Sequence, residues 1–329
     1  VRREVLDLIV NCLNRDVVPW VPSRGSVGAS GDLAPLAHVA AVLMGEGDCL
    51  AKDRQGRVPA AKALFQADLS PVVFQAKEAL ALINGTQLIG SVGGLALARA
   101  GRLLEQADVV AAMSLEALMG TDSVFADAVH QARPHPGQLE VAAHLRKLLA
   151  GSELIASHKH CGKVQDPYSL RCIPQVHGAA RDGWAWSKSV FEREFNSASD
   201  NPVVVSEEKR IISGGNFHGQ PLAMALDYAT VAASELGNIS DRRIYLALEG
   251  KYAGVPKLLL KETGINSGYM ILQYTTAALA SENKSLCHPA SADSIPTSMG
   301  QEDHVSMGSI SGRKALQVLK NVEHILAIE

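Results

Sequence analysis

Apolar positions along this 329-residue chain recur mostly three and four residues apart, the period of an amphipathic helix. Residues 2–14 carry that pattern, and Pro19 and Pro22 interrupt it before a glycine-rich strip at Gly25–Gly31. A second helix is predicted from about Asp32 to Met44, with Gly45 and Gly47 ending it. Residues 48–75 are mixed and turn-rich. The spacing then predicts a long helix over roughly 76–119, apolar on most faces, as burial in a bundle or an oligomer requires. A shorter amphipathic helix follows at 138–150, and the polar stretch 157–175, with Pro167 and Pro174, reads as a loop with short helical turns. Asn201-Pro202, Val203-Val204-Val205 and Arg210-Ile211-Ile212 predict one small β-hairpin. Helices resume over about 219–249, 267–283 and 308–328. The expected fold class is mainly α: an elongated multi-helix bundle with a small β-hairpin, residues 1–329 forming a single region.

Composition agrees with helix over sheet: 47% of residues are hydrophobic and only 5% aromatic. The net charge of −3 comes without a long basic block, so no nucleic-acid surface is expected. No uninterrupted apolar run reaches the roughly 18 residues of a membrane span, and no membrane partner is expected. Cys12, Cys49, Cys161, Cys172 and Cys287 are scattered, and their odd number argues against a disulfide framework. The expected setting is the reducing cytoplasm. Both ends look cut, with a helical pattern under way at Val1 and another at Glu329.

Five strings carry candidate chemistry. Residues 25–36 surround Ala29-Ser30-Gly31 with small residues and place Asp32 before an apolar run. Glycine removes the Cβ that blocks close backbone approach, so the strip suits either a helix-capping loop or an unusual backbone reaction. Asn84-Gly85-Thr86-Gln87 puts polar groups inside the long apolar helix, where they must find hydrogen bonds. Gln165-Asp166-Pro167-Tyr168-Ser169-Leu170-Arg171-Cys172 offers in Arg171 a planar fork for a carboxylate and in Tyr168 a phenol that can donate or accept a proton. His158, His160 and Cys161 are zinc-ligand types, but they lack a paired second cluster, and no metal is expected. Gly214-Gly215-Asn216-Phe217-His218-Gly219 reads by itself as a glycine turn into a helix, and Gln301-Glu302-Asp303-His304 supplies a carboxylate.

Taken together and in this order, the five strings resemble the signatures of the aromatic amino acid ammonia-lyases that act on histidine, phenylalanine and tyrosine. The resemblance runs from Gly25 to Glu329 and implies the helical-bundle fold that these lyases share with fumarases. It implies that Ala29-Ser30-Gly31 cyclises and loses water to form a methylidene-imidazolone (MIO), so that no external cofactor is needed. Asp32 either assists ring closure as a proton acceptor or is a first-turn acid favoured by the helix dipole. The resemblance also implies that Asn84 holds the imidazolone oxygen, Arg171 the substrate carboxylate, and that Tyr168 and Glu302 tune proton transfer. Gln165, Phe217 and Met270 would line the substrate pocket. Glu302 matches the histidine-specific members, where a carboxylate can pair with an imidazole; the phenylalanine and tyrosine enzymes and the aminomutases have Gln there.

The expected reaction is therefore non-oxidative deamination of L-histidine to trans-urocanate and ammonia, by a homotetramer whose active sites are shared between subunits. Either the substrate amine or its ring would meet the electrophile, and the residues leave both routes open. Two departures stand out: Met299-Gly300 precedes Gln301 where Ala-Asn is usual, and His160 stands where Asn is common. The family's tyrosine base lies upstream of the glycine strip and outside this stretch, so a protein beginning at Val1 is expected to have little activity. The rival readings are a tyrosine or phenylalanine lyase or aminomutase and, from another class, an inactive truncated helical scaffold.

Overall fold

A computed structural model describes residues 1–53, 55–159 and 162–329. Among them the chain forms α1 (Arg3–Asn14), α2 (Leu33–Leu43), β1 (Asp48–Leu50), β2 (Arg57–Pro59), α3 (Ala60–Gln66), α4 (Glu78–Ile83) and α5 (Gln87–Ala117). Then come α6 (Asp127–Gln131), α7 (Pro136–Leu148), α8 (Glu153–Ser157), α9 (Tyr168–Arg171) and α10 (Ile173–Glu194). The last elements are β3 (Val203–Val205), β4 (Arg210–Ile212), α11 (Gln220–Leu248), α12 (Met270–Leu286) and α13 (Gly308–Ile328). The fold is mainly α, as the periodicity predicts.

Three elements differ from those expected. The region 48–75 is more ordered than its composition suggests: β1 and β2 pair antiparallel, with Cys49 opposite Val58, so there are two hairpins rather than one. Helix α10, 22 residues long, arises in a stretch where the pattern reading assigns no element. Most informative is the break in the long apolar helix, where Asn84 leaves helical geometry at φ −91, ψ 84. In an unbroken helix the Ile89 N–H would bond to the Gly85 carbonyl. Here both groups go to Asp32: its backbone N–H donates to Gly85 O at 2.8 Å, and its Oδ2 accepts from Ile89 N at 2.9 Å. Asp32 thus takes the place of one rung of the helical ladder, which ends α4 and starts α5.

The chain divides into two compact units, interleaved in sequence: residues 1–92, 191–224 and 290–312 form one, and 93–190, 225–289 and 313–329 the other. The first unit has a core of Val5, Leu8, Cys12, Val17, Val42, Leu43, Cys49, Ala60 and Leu64. Val5, Leu8 and Cys12 reach it from one face of α1. Cys12 and Cys49 stand there as buried free thiols, and burial pushes both thiols up from their ordinary value.

The second unit packs Ala111, Ala112 and Leu115 of α5 against Phe125, Val141, Leu145, Ile155, Leu170 and Ile173. By length and composition alone residues 78–117 are apolar enough to cross a membrane, yet this face of α5 is spent on the protein core. A buried polar hub ties three helices of this unit together. Asp108 on α5 accepts from His177 (2.8 Å) and Arg181 (3.1 Å) on α10, and it pairs with His144 on α7 (3.0 Å).

Candidate active site

The glycine strip occupies a tight turn of the first unit, at the entry to α2. Ser30 sits at φ +51 and Gly31 at φ +81, and a left-handed conformation is uncommon for a serine. At position 31 glycine is obligatory for a second reason: a Cβ there would overlap the carbonyl oxygen of Gly85. The loop is also held from its far side. Met307 N donates to Val27 O at 2.9 Å, and Ser309 Oγ to Ser26 O at 2.7 Å.

Asp32 stands at the entry to α2 but is not held there as a cap. Although it occupies the N-cap of α2, its side chain makes no capping bond to that helix. The fully buried carboxyl accepts instead from Ile89 N and from Ser26 Oγ at 3.0 Å. Desolvation pushes its pKa up to about 6, against those two hydrogen bonds. A carboxyl poised near neutrality, adjoining Ala29–Gly31 in the chain, can both take and return a proton.

Glu302, far away in sequence, reaches the strip directly: Ser30 Oγ donates to its Oε1 at 2.5 Å. The other carboxylate oxygen accepts from Ser298 Oγ at 2.5 Å and Thr297 Oγ1 at 3.1 Å. The Ser298 hydroxyl first, then Ser30 and Thr297, hold this carboxyl below its ordinary range, so it stays ionised. Thr297 and Glu302 also form an antiparallel bridge that closes the intervening loop. That loop contains the departure Met299-Gly300, and Ser298, Met299 and Gly300 all have positive φ (50, 55 and 89). All three residues are exposed at the tip of that loop.

Asn84 ends α4 beside Gly85. Its amide nitrogen donates to Asn201 O at 3.0 Å, while its Oδ1 is buried without a hydrogen-bond partner. A buried amide oxygen left unpaired is costly and calls for an explanation. The turn is pinned through Thr86, whose hydroxyl bonds to Glu194 at the end of α10. Phe217 is half-buried just before α11.

The remaining candidates belong to the second unit. The Arg171 guanidinium lies 4.5 Å over the Tyr168 ring, and its Nε donates to Asp166 O at 2.9 Å. That leaves the outer fork of Arg171 outside this bond. Tyr168 is 70% exposed and Gln165 is exposed, whereas Asp166 is buried and accepts from Thr121 N at 2.7 Å. A cavity of about 490 Å³ is bordered by Gln165 and Asp166 but by neither Tyr168 nor Arg171. Two of its polar side chains bond to backbone: Lys163 donates to Met119 O, and His158 faces the Leu154 and Gly120 carbonyls. Met270 is the first residue of α12 and half-buried. His160 and Cys161, considered above as zinc ligands, lie outside the described residues; the described ones contain no group of three or more metal-ligating side chains.

Within the first unit the structure thus joins Ser30 to Glu302 and places Gly85, next to Asn84, against Gly31. Within the second it joins Tyr168 to Arg171. Sequence reasoning missed Ser26, Thr297, Ser298 and Asn201, whose hydroxyls or carbonyl hold these groups. They lie in or beside segments already singled out, but a single hydroxyl or carbonyl there does not say which distant group it will meet.

Comparison with known proteins bears on the whole chain. A family model described as "Aromatic amino acid lyase" matches residues 1–329. The histidine ammonia-lyase of Anaeromyxobacter sp. (strain K) is 57% identical over all of this chain, which spans 66% of that protein. The crystal structure of histidine ammonia-lyase from Trypanosoma cruzi superposes with a TM-score of 0.91 at 45% identity, covering all of this chain and 61% of that one. A tyrosine aminomutase from Streptomyces globisporus does so at 0.92 with 39% identity, covering all of this chain and 65% of its own. The backbone is therefore common to enzymes of different aromatic substrates.

Proposed function

Because the chain belongs to the aromatic amino acid lyase family, we propose that it is the lyase of L-histidine, releasing ammonia and leaving trans-urocanate. The substrate's Cβ–H proton is removed, its Cα–N bond breaks, and the electrons form the new carbon–carbon double bond. The observation that carries the reading is the ionised Glu302 carboxylate held on the Ser30 hydroxyl. A phenyl or phenol ring gives such a carboxylate no cationic partner, whereas an imidazole does. The identity to histidine ammonia-lyases, 57% in one case, supports the same choice.

The residues around the strip fit an MIO formed from Ala29, Ser30 and Gly31. Gly31 lies where only a residue without a side chain can approach Gly85, and Asn84 Oδ1 is an orphaned polar atom on the same turn. Asp32 accepts the proton released as the Gly31 nitrogen closes on the Ala29 carbonyl carbon. When formed, the group supplies the electrophile that makes an unreactive amine or β-proton labile. Asn84 orients its oxygen through the amide hydrogen that Asn201 does not use. Arg171 holds the substrate carboxylate with its outer nitrogens, and Tyr168, stacked on Arg171, moves a proton beside it. Gln165, Phe217 and Met270 shape the pocket.

Assembly as a homotetramer is part of the reading. It is supported by exposed apolar side chains on long helices, Leu95 and Met113 on α5 and Met224 and Tyr228 on α11. The buried free thiols Cys12 and Cys49 support a cytoplasmic setting. The test is the full-length gene product offered histidine, tyrosine and phenylalanine separately. Urocanate should form from histidine, Ser30→Ala should abolish it, and the intact mass should be lower than the sequence mass by two waters. Turnover of tyrosine alone would overturn the histidine assignment, and an unmodified mass would overturn ring formation.

A further inference from the structure

His218 has no assigned part in this chemistry, yet both of its ring nitrogens are engaged in a defined sense. It lies two residues before α11 begins, in the first unit. Its Nδ1 accepts the backbone N–H of Gln220 at 3.3 Å, which commits that nitrogen's lone pair. In a neutral imidazole the proton is then on Nε2. Nε2 faces the backbone carbonyl of His304 at 3.0 Å and donates to it. The two imidazoles lie alongside each other, with centroids 5.5 Å apart and planes at 34°.

The His304 carbonyl is two residues beyond Glu302. On the other side of it Val305 N donates to Ser294 Oγ at 2.9 Å. The segment that bears Glu302 is thus held at three places: the Thr297 bridge before it, His218 after it, and the Ser294 hydroxyl beyond that. Of these three, His218 ties it to the start of a long helix, through a ring whose Nδ1 accepts from Gln220 N and whose Nε2 also lies 3.5 Å from His304 Nδ1.

We propose that His218 is a positioning residue: by donating Nε2–H to the His304 carbonyl, it fixes the 302–304 segment so that the Glu302 carboxylate stays on residue 30 and the substrate side chain. The role requires a donor at the reach of Nε2 and no charge. Glutamine supplies such a donor, since its terminal amide extends about as far as Nε2. Asparagine supplies an amide only at the reach of Nδ1, and alanine supplies neither. The proposal rests on the histidine-lyase reading for its kinetic readout but not for its structural one.

The experiment compares the full-length wild type with H218A, H218N and H218Q. Turnover of L-histidine is measured alongside amide hydrogen exchange of peptides spanning 297–305. One neutral hydrogen bond is at stake, so H218A and H218N should lower kcat/KM roughly two- to tenfold and H218Q should stay within about twofold of wild type. Exchange in 297–305 should quicken in H218A and H218N and return to the wild-type rate in H218Q. Should H218A fail to fold, the H218N and H218Q pair carries the same comparison. Equal turnover in H218N and H218Q, or equal exchange in both, overturns the proposal. A wild type that releases no ammonia from histidine sinks the functional reading alone, because the exchange contrast still decides the role of His218.

Discussion

Replacing Asp32 by Asn tests the most consequential feature of the first unit, a buried carboxyl in place of a helical rung. Asn keeps an acceptor for the Ile89 N–H, and its amide can donate to the Ser26 hydroxyl, which accepts as well as donates. What it removes is the titration. The folded protein raises this carboxyl from 3.8 to about 6 through burial. Between those values the folded state binds more protons than the unfolded one, so the contribution of Asp32 to stability falls as pH rises through that window. The full separation corresponds to about 3 kcal/mol, of which roughly half is lost between pH 5 and pH 8. The D32N variant has no such loss. Its stability relative to wild type should therefore rise by about 1–2 kcal/mol from pH 5 to pH 8. Both proteins are best built on Ser30→Ala, so that residues 29–31 are chemically the same in each. Urea midpoints at one fixed protein concentration read the difference. A difference that stays constant across this range, or that shifts in favour of wild type as pH rises, would refute the assignment of a desolvated, near-neutral carboxyl.

Three further expectations follow from particular contacts. Gly31→Ala places a Cβ against the Gly85 carbonyl at positive φ; intact mass should show no loss of water, and melting should drop by an amount equivalent to more than about 1 kcal/mol. Glu302→Gln should leave the mass loss intact and cut histidine turnover by about a hundredfold, the scale of removing one well-placed charged group; unchanged turnover would show that the carboxylate does not meet the substrate. Asp108→Ala leaves Arg181 only its exposed partners Glu105 and Glu140 and takes from the buried His177 its carboxylate partner, which should cost about 3 kcal/mol in denaturant unfolding, whereas Asp108→Asn should cost less.

The helices were largely readable because their signal is local. The buried positions Val5, Leu8 and Cys12 on α1, and the recurrence of Leu319, Val322, Ile325 and Leu326 on α13, lie within a few turns of one another. The β1–β2 hairpin gave no such signal: its strands, Asp48-Cys49-Leu50 and Arg57-Val58-Pro59, lack the β-branched runs that mark β3 and β4. The site residues were legible as strings rather than by periodicity. Their resemblance to a family pointed to Ser30, Asn84, Tyr168, Arg171 and Glu302 without saying what each would touch.

The chain's own pattern was enough to establish a mainly helical protein, the glycine strip, and the Glu302 carboxylate within Gln301–His304. Folding decided the rest. The Ser30–Glu302 bond joins residues 272 apart, and no local rule relates them. The break at 84–86 exists because Asp32, from another helix, takes both the carbonyl and the N–H that would have closed that turn. Local propensity measures what a segment prefers alone. When a buried neighbour satisfies the same backbone groups, the segment bends to the neighbour, and it is there that Gly85 meets Gly31.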